Sequence, residues 1–387
     1  MFGCGVGIAD GALALWDAVA AEGHSAIWLI GTAREARDAS ARGIPNASKH
    51  SLRGFWLTAR AEIVVVTHGF GDVNRYAVSD AFIVQLWHGI PLKRIGLDSP
   101  ATLRSGILPG SRLLRALIAR MYRSATRRID VLPAASHIVR GRLESAFGLP
   151  DARVPVTGEP RVDVLSRGAA EARRATARAA IAGAAGPLDA EDRLVLYAPT
   201  WRDGAPDPAV PSAGDWRSIV DVLDRHRAVL LVRSHPLGAG DYVPPFATER
   251  VVGLGSDVVI DVTPLLPGLD ALVTDYSSLV FDTALVPVPV VFFAPDVEVY
   301  ARTRGFYGAY VDVAGPGWAA DWTEAAMQLD ALLGDESDRA GRLERAERLS
   351  RRVHAFRDGG NTERVYRAIL TGRDKDAVPA PDPKGSR

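Results

Sequence analysis

The stretch DALVTDYSSLVFDTALVPVPVVFFAP (270–295) decides the fold. It opens on an apolar run and turns polar at Asp275, Tyr276, Ser277 and Ser278. A helical pattern follows, and a second β-branched run, PVPVVFFAP (287–295), closes the stretch. A helix between two short apolar strands is the repeating unit of a parallel α/β sheet. The same alternation extends outward on both sides. Upstream stand RLVLYAPT (193–200), AVLLVRSHP (228–236) and DVVIDVT (257–263). The first half adds SAIWLI (25–30), EIVVVTHG (62–69), AFIVQLWHG (81–89), IDVLPAAS (129–136) and RVPVTGEP (153–160), and helical patterns fill about 320–371. Polar residues gather where the strands end, which is where open α/β sheets bind ligands.

An Ala/Arg-rich helix over Asp163–Ile181, followed by GAAGPLDAED (183–192), reads as a domain boundary. The expected units are 1–182 and 183–371, the second ending in closing helices, with a polar, proline-rich and disordered tail over 372–387. The opening MFGCGVGIAD lacks the basic and apolar regions of a secretory signal. Its Gly-rich FGCGVG has no hydrophobic strand before it, so either the first strand is missing or the true start lies upstream.

Composition excludes several classes. The 387 residues carry 46 basic and 46 acidic side chains, so net charge is zero and wholesale nucleic-acid binding is disfavoured. The single cysteine, Cys4, allows no intramolecular disulfide and no cysteine-based zinc site, which fits a reducing cytoplasm. The longest apolar run, 284–295, is too short to span a bilayer and contains three prolines.

Five motifs are candidates for chemistry. In QLWHGIPLKRIG (85–96), His88 follows a strand and precedes a glycine, and histidine can take a proton near neutral pH. The same histidine also reads as a side chain packed beside Trp87. In VLLVRSHP (229–236), Arg233 and His235 alternate so that both can face one side and meet phosphate oxygens; a surface arginine and a turn histidine are the plain reading. In VTDYSSLVFDTAL (273–285), Ser277 and Ser278 open a helix whose free N–H groups form an anion site, with Asp275 before it and Asp282 one turn in; the same residues serve as ordinary helix caps. In LYAPTWRD (196–203), Thr200, Trp201 and Arg202 follow a strand, with Trp201 suited either to a nucleotide base or to the core. DGGNTERV (358–365) sits between two helices as a glycine turn with Asn361 or Thr362 as a cap. Outside the tail, no acidic cluster suggests a metal site.

From Ser99 to Ile129 there is no acidic residue, and seven arginines occur, at 104, 112, 115, 120, 123, 127 and 128. On a helix over about 111–128, Leu113, Leu114, Leu117, Ile118, Met121, Tyr122 and Ala125 share one half, whereas Arg112, Arg115, Arg120, Arg123 and Arg127 take the other. This is the pattern of a helix lying on an anionic membrane surface. An amphipathic helix packed on its own sheet gives a similar pattern.

Taken together, WHGIPLKRIG (87–96), APTWRD (198–203), RSHP (233–236), TDYSSLVFD (274–282), GFYGAY (305–310) and DGGNTERV (358–365) resemble the CDP-glycerol glycerophosphotransferase family over about residues 2–370. The resemblance implies a GT-B-like α/β fold in which two Rossmann-like domains face a cleft, the first toward the acceptor and the second holding the donor. It implies that His88 is the base and that His235 engages the donor phosphates. Arg233, Ser277 and Ser278 fall at donor-phosphate positions, with Thr200, Trp201, Arg202, Asp275 and Asp282 near the donor. The implied reaction moves glycerol phosphate or ribitol phosphate from its CDP ester to a lipid-linked wall or capsule polymer, releasing CMP at the inner face of the cell membrane. Membrane contact then falls to Arg112, Arg115, Arg120, Arg123, Leu114, Leu117, Ile118 and Met121. No cofactor or resident metal is required, although a divalent cation bound by the donor diphosphate is compatible. The chain departs from some relatives in its short N-terminus and in lacking their extra N-terminal region, which leaves primase and polymerase roles open. A sugar-nucleotide glycosyltransferase and an inactive membrane-bound binding protein are the competing readings.

Overall fold

Parallel strands alternate with helices throughout the computed structural model, which describes residues 1–104, 110–200, 202, 207–234 and 242–377. In chain order the first elements are α1 (Asp10–Ala21), β1 (Trp28–Ile30), α2 (Ala33–Ala41), β2 (Asn46–Ser48), α3 (Leu52–Ala59), β3 (Ile63–Val66), β4 (Phe82–Gln85), α4 (Arg112–Thr126), α5 (His137–Phe147) and α6 (Ala170–Ala185). Next come β5 (Arg193–Ala198), α7 (Ala213–Arg225), β6 (Ala228–Val232), β7 (Val251–Gly253), β8 (Ala271–Thr274), α8 (Leu279–Thr283) and β9 (Val290–Phe292). The remaining helices are α9 (Val297–Thr303), α10 (Val311–Ala314), α11 (Trp322–Gly334), α12 (Glu336–Val353) and α13 (Asn361–Ala377).

Two compact units result, but no single cut near 182 separates them. The first comprises Met1–His88, Arg123–Arg161 and the chain from Gly360 onward; the second comprises Gly89–Tyr122 and Val162–Gly359. Packing explains the difference from the expected boundary. Val365 and Ile369 of α13 are buried among Phe2, Leu15 and Trp16 of the first unit. Helix α6, read as a link, belongs to the second unit. Its Arg174 and Arg178 bond Asp270 at 2.7 and 3.3 Å, and Gly268 lets the chain approach α6 so closely that a Cβ there would stand 3.1 Å from the Arg178 nitrogen.

In the first unit β1 pairs with β2 and β3 with β4, all in parallel. The first residues join the two pairs. Phe2 bridges both Trp28 and Val65, and the Phe2 and Gly3 N–H groups donate to Ile27 and Val65 carbonyls at 2.9 Å each. The opening residues thus meet both pairs through the single bridges at Phe2 and do not form a strand of their own. Phe2, Trp16 and Trp28 form an aromatic cluster with ring centroids 5.2–5.8 Å apart. The segments at 129–136 and 153–160, expected as strands, contribute only the single bridges Val84–Val131 and Ala134–Val156.

The second unit holds a five-stranded parallel sheet in the order β7–β6–β5–β8–β9. Strands covered on both faces must be apolar along their length, as VLLV and ALVT are. Each such Val or Leu contributes about 1.5–3 kcal/mol on full burial. Tyr197, Trp216, Phe293 and Trp322 fill the core, and the Ala209 carbonyl accepts from both Tyr197 Oη (2.9 Å) and Trp322 Nε1 (3.0 Å). Their polar ends are thereby satisfied in an apolar setting. The run at 257–263 is not a strand. It bends at Gly255, and its Val259 and Ile260 carbonyls bond the Arg233 guanidinium instead of a neighbouring strand. Among the described residues, no helix is long and apolar enough to cross a membrane.

Candidate active site

In the first unit β3 and β4 run side by side, with Val66 opposite Gln85, so Thr67-His68 and Trp87-His88 emerge together. Each histidine precedes a glycine at positive φ, Gly69 at 126° and Gly89 at 123°. Trp87 itself sits at φ 62°, a conformation that costs a bulky residue energy and that recurs at functional sites. The imidazoles of His68 and His88 stack with centroids 4.1 Å apart and planes 6° from parallel. The Trp87 ring lies 4.0 Å from the His88 ring and meets Phe147 edge-on at 5.1 Å. Asp72 Oδ2 accepts from the backbone N–H groups of Thr67 (2.9 Å) and His68 (2.7 Å), and Gln85 Nε2 donates to the Thr67 carbonyl at 2.7 Å. Cys4 lies behind this turn. Burial pushes its thiol up to about 12, so it is a packing group and not a nucleophile.

In the second unit the ends of β5 and β8 converge on one ion-pair network. Asp275 accepts from the Thr200 N–H at 2.9 Å, from the Tyr276 N–H, and from Arg202 at 2.9 Å. Arg202 also bonds Asp296 through Nε and Nη2, at 2.8 and 2.9 Å, and lies about 5 Å over the rings of Tyr276 (4.9 Å) and Tyr300 (5.0 Å). Burial works against the guanidinium charge, but its hydrogen bonds and attraction to Asp296 and Asp275 outweigh this and hold its pKa above the ordinary range. Tyr276 Oη donates to Asp296 at 2.9 Å and Tyr310 Oη to the Asp275 carbonyl at 2.9 Å. Arg202 and Asp275 are thus engaged with each other, where the sequence suggested side chains aimed at a ligand.

Other expected residues fall around this network. Ser277 and Ser278 are half-buried at the turn into α8, and Ser277 Oγ accepts from the Leu279 N–H at 3.3 Å. Asp282 is buried within α8. Thr200 Oγ1 is buried without a hydrogen-bond partner among the described residues. Arg233 follows β6, and its guanidinium donates to the Leu254, Val259 and Ile260 carbonyls at 3.2, 2.8 and 3.0 Å; burial lowers its pKa and Asp261 and Asp257 oppose that. It braces the wall of the sheet. Trp201 and His235 lie outside the described residues. The tail expected to be disordered over 372–387 also lies outside them from 378, but its first residues, 372–377, continue α13 as helix. Asn361 and Thr362 are buried in the first unit, with Asn361 Nδ2 donating to the Glu159 carbonyl at 3.2 Å.

Sequence reasoning passed over Lys93 and His68. Lys93 was quoted within its motif but given no role. The backbone of 92–94 is laced to 305–307: Arg94 N–H donates to the Gly305 carbonyl (3.1 Å), and Tyr307 N–H to that of Leu92 (3.0 Å). GFYGAY thereby sets Lys93 in the field of the Asp275 network. Its pKa is lowered to about 8, by burial first and by Arg304 and Arg202, against the attraction of Asp275. An ammonium so placed can change charge near physiological pH. His68 carries the same signal as His88, a strand running into His-Gly, in EIVVVTHG. Among the described residues, no group of three or more His, Cys, Asp or Glu side chains is arranged to hold a metal.

Helix α4 turns its apolar residues in two directions. Leu113 (86% exposed), Leu117 (51%) and Met121 (65%) stand outward at four-residue intervals, with Arg112, Arg115, Arg120 and Arg123 also exposed. Leu114 and Ile118 are half-buried, so the outward stripe runs through Leu113 in their place.

Comparison with known proteins gives the fold and the family. The chain is 28% identical over 299 residues to the teichoic acid poly(glycerol phosphate) polymerase of Bacillus subtilis, covering 74% of this chain and 37% of that protein. It is 28% identical over 284 residues to the teichoic acid glycerol-phosphate transferase of Staphylococcus aureus, covering 70% of this chain and 68% of that one. The chain thus spans about a third of the polymerase and about two thirds of the transferase. The solved structure of the wall teichoic acid polymerase TagF superposes with a TM-score of 0.77 at 21% identity, covering 97% of this chain and 89% of that chain, which gives the fold as GT-B-like α/β. Residues 6–371 match the family model of CDP-glycerol:poly(glycerophosphate) glycerophosphotransferase, and the chain belongs to that family.

Proposed function

We propose that this protein transfers a polyol phosphate, glycerol phosphate in the first place, from a CDP ester to a lipid-linked acceptor in teichoic acid or capsule polymer synthesis, releasing CMP. The observation that carries the reading is the family match over 6–371, in a chain where His88 stands just beyond β4. In this reading the acceptor hydroxyl attacks the phosphorus bearing glycerol. An oxygen–phosphorus bond forms to the acceptor, the bond to the bridging oxygen of the diphosphate breaks, and CMP carries that electron pair away. His88 receives the hydroxyl proton. Little covalent chemistry is left to the protein, so positioning and charge stabilisation dominate.

The donor side draws on the second unit. Lys93 supplies positive charge, Ser277, Ser278 and Thr200 supply hydroxyls, and the Arg202–Asp275–Asp296 network holds their strand ends rigid. His235 joins the donor phosphates by the resemblance set out above. No resident cofactor is called for, and a divalent cation travelling on the donor diphosphate is compatible with every step. The outward Leu113–Leu117–Met121 stripe with its flanking arginines supports docking on the anionic inner face of the cell membrane, where a lipid-linked acceptor is met.

The test is CMP release from CDP-glycerol, with CDP-ribitol and a UDP-sugar alongside, using a lipid-linked acceptor analogue. Acceptor-dependent release from a CDP-polyol that disappears in His88→Ala is the expected result. Turnover of the UDP-sugar alone, or binding without turnover, overturns the reading.

A further inference from the structure

We infer that His68 is a positioning residue for His88: its imidazole, laid flat on that of His88, fixes the plane in which His88 receives the acceptor's proton. The inference rests on the function proposed above. A histidine ring turns about a broad χ2 minimum, so a strand end alone does not aim its nitrogens. A flat neighbour at 4.1 Å and 6° restricts that rotation to one plane.

The first unit invests several residues in placing the second ring. Thr67 Oγ1 lies 2.8 Å from His68 Nδ1 and accepts from the Gly5 N–H at 3.2 Å. Asp72 holds the His68 N–H at 2.7 Å. The Gly-rich opening clears the space. A Cβ on Gly5 would stand 2.5 Å from His68 Cγ, and one on Gly3 would stand 2.4 Å from the Asp72 carbonyl oxygen. Gly5 therefore leaves room for the stack of imidazoles, a use that the fold alone does not account for. His68 itself is exposed, so core packing does not explain this investment.

The experiment compares wild type, His68→Ala and His68→Phe, each with a melting curve. It measures CMP release from CDP-glycerol with the lipid-linked acceptor analogue and the proton NMR signal of the His88 ring, assigned by its loss in His88→Ala. Misaiming a reacting group can cost about 100-fold, so kcat of His68→Ala should fall about 10- to 100-fold. Donor KM should stay within about twofold, because no binding contact is removed. His68→Phe, which keeps a flat ring, should recover most of kcat. The His88 ring protons should lose the part of their ring-current shift that His68 contributes in His68→Ala, keep the part from Trp87, and regain a stacked-ring shift in His68→Phe. A kcat near wild type in His68→Ala, a loss confined to KM, or a phenylalanine no better than alanine overturns the inference. If the wild type releases no CMP from CDP-glycerol or CDP-ribitol, the functional reading fails on its own. The NMR arm then decides the stack separately, and an unchanged His88 signal in His68→Ala overturns it.

Discussion

The two units finish their strands in opposite ways. At the ends of β5 and β8 the second unit places charges and immediately neutralises them, with Arg202 between Asp275 and Asp296 and its guanidinium over Tyr276 and Tyr300. At the ends of β3 and β4 the first unit leaves two imidazoles stacked beside strained or glycine backbone, one half-buried and one exposed. A saturated ion network resists movement and holds neighbouring groups in place, whereas a histidine near water can gain and lose a proton. The contrast marks one strand-end cluster as scaffold, while in the proposed reaction the other carries the proton. It also explains why a conspicuous arginine is a poor guide to a ligand: its charge is already matched within the fold.

The sharpest way to break this contrast is to remove one member from each side. His88→Ala should lower kcat for CMP release by about 10²–10⁴-fold, the usual worth of a general base, with little change in the unfolding midpoint. Arg202→Ala should do the reverse, costing about 3–5 kcal/mol in urea unfolding because the buried Asp275 carboxylate, and with it the half-buried Asp296, loses its counter-charge. A variant that unfolds no more easily than wild type would show that the network is not the scaffold.

Lys93 tests the border between the two roles. Its ammonium is charged below a pKa of about 8 and neutral above it, so donor KM of the wild type should rise as pH passes through 8, while Lys93→Arg stays flat. Lys93→Met should raise donor KM about tenfold at pH 7, a loss of the size expected for one hydrogen bond to a charged group. The stability sign is opposite. The folded pKa lies below the ordinary 10.5, so the unfolded chain binds more protons between about pH 8 and 10.5, and the Lys93 contribution should become less unfavourable as pH rises through that window.

The smallest effects should come from α4. Reversing Arg115 and Arg120 to glutamate should weaken sedimentation with phosphatidylglycerol vesicles by about 1 kcal/mol per arginine removed, and leave neutral vesicles unaffected. Leu113→Ser with Leu117→Ser should weaken binding to both. Equal loss from the buried-side change Ile118→Ser would argue that the helix acts by packing.

Much of this was legible beforehand. The βαβ alternation, the polar strand ends, His88 and the basic helix all follow from local pattern, because strand period, glycine turns and charge runs are properties of neighbours in sequence. What escaped depended on distance along the chain. Phe2 joins the sheet edges only by bridging to Trp28 and Val65. Arg202 looks like a phosphate ligand until Asp296, far downstream, is seen on its guanidinium. Helix α13 reads as the end of the second unit, yet its Val365 and Ile369 complete the core of the first.

By itself, then, the sequence determined the class of fold, the family and the side chains available for chemistry, since these rest on composition, period and the order of short motifs. Only the tertiary structure decided which charges are spent on one another, which histidine gains a stacked partner, and where the last helix packs. Those outcomes are set by close approach between residues tens to hundreds of positions apart, and no local pattern encodes such a pairing.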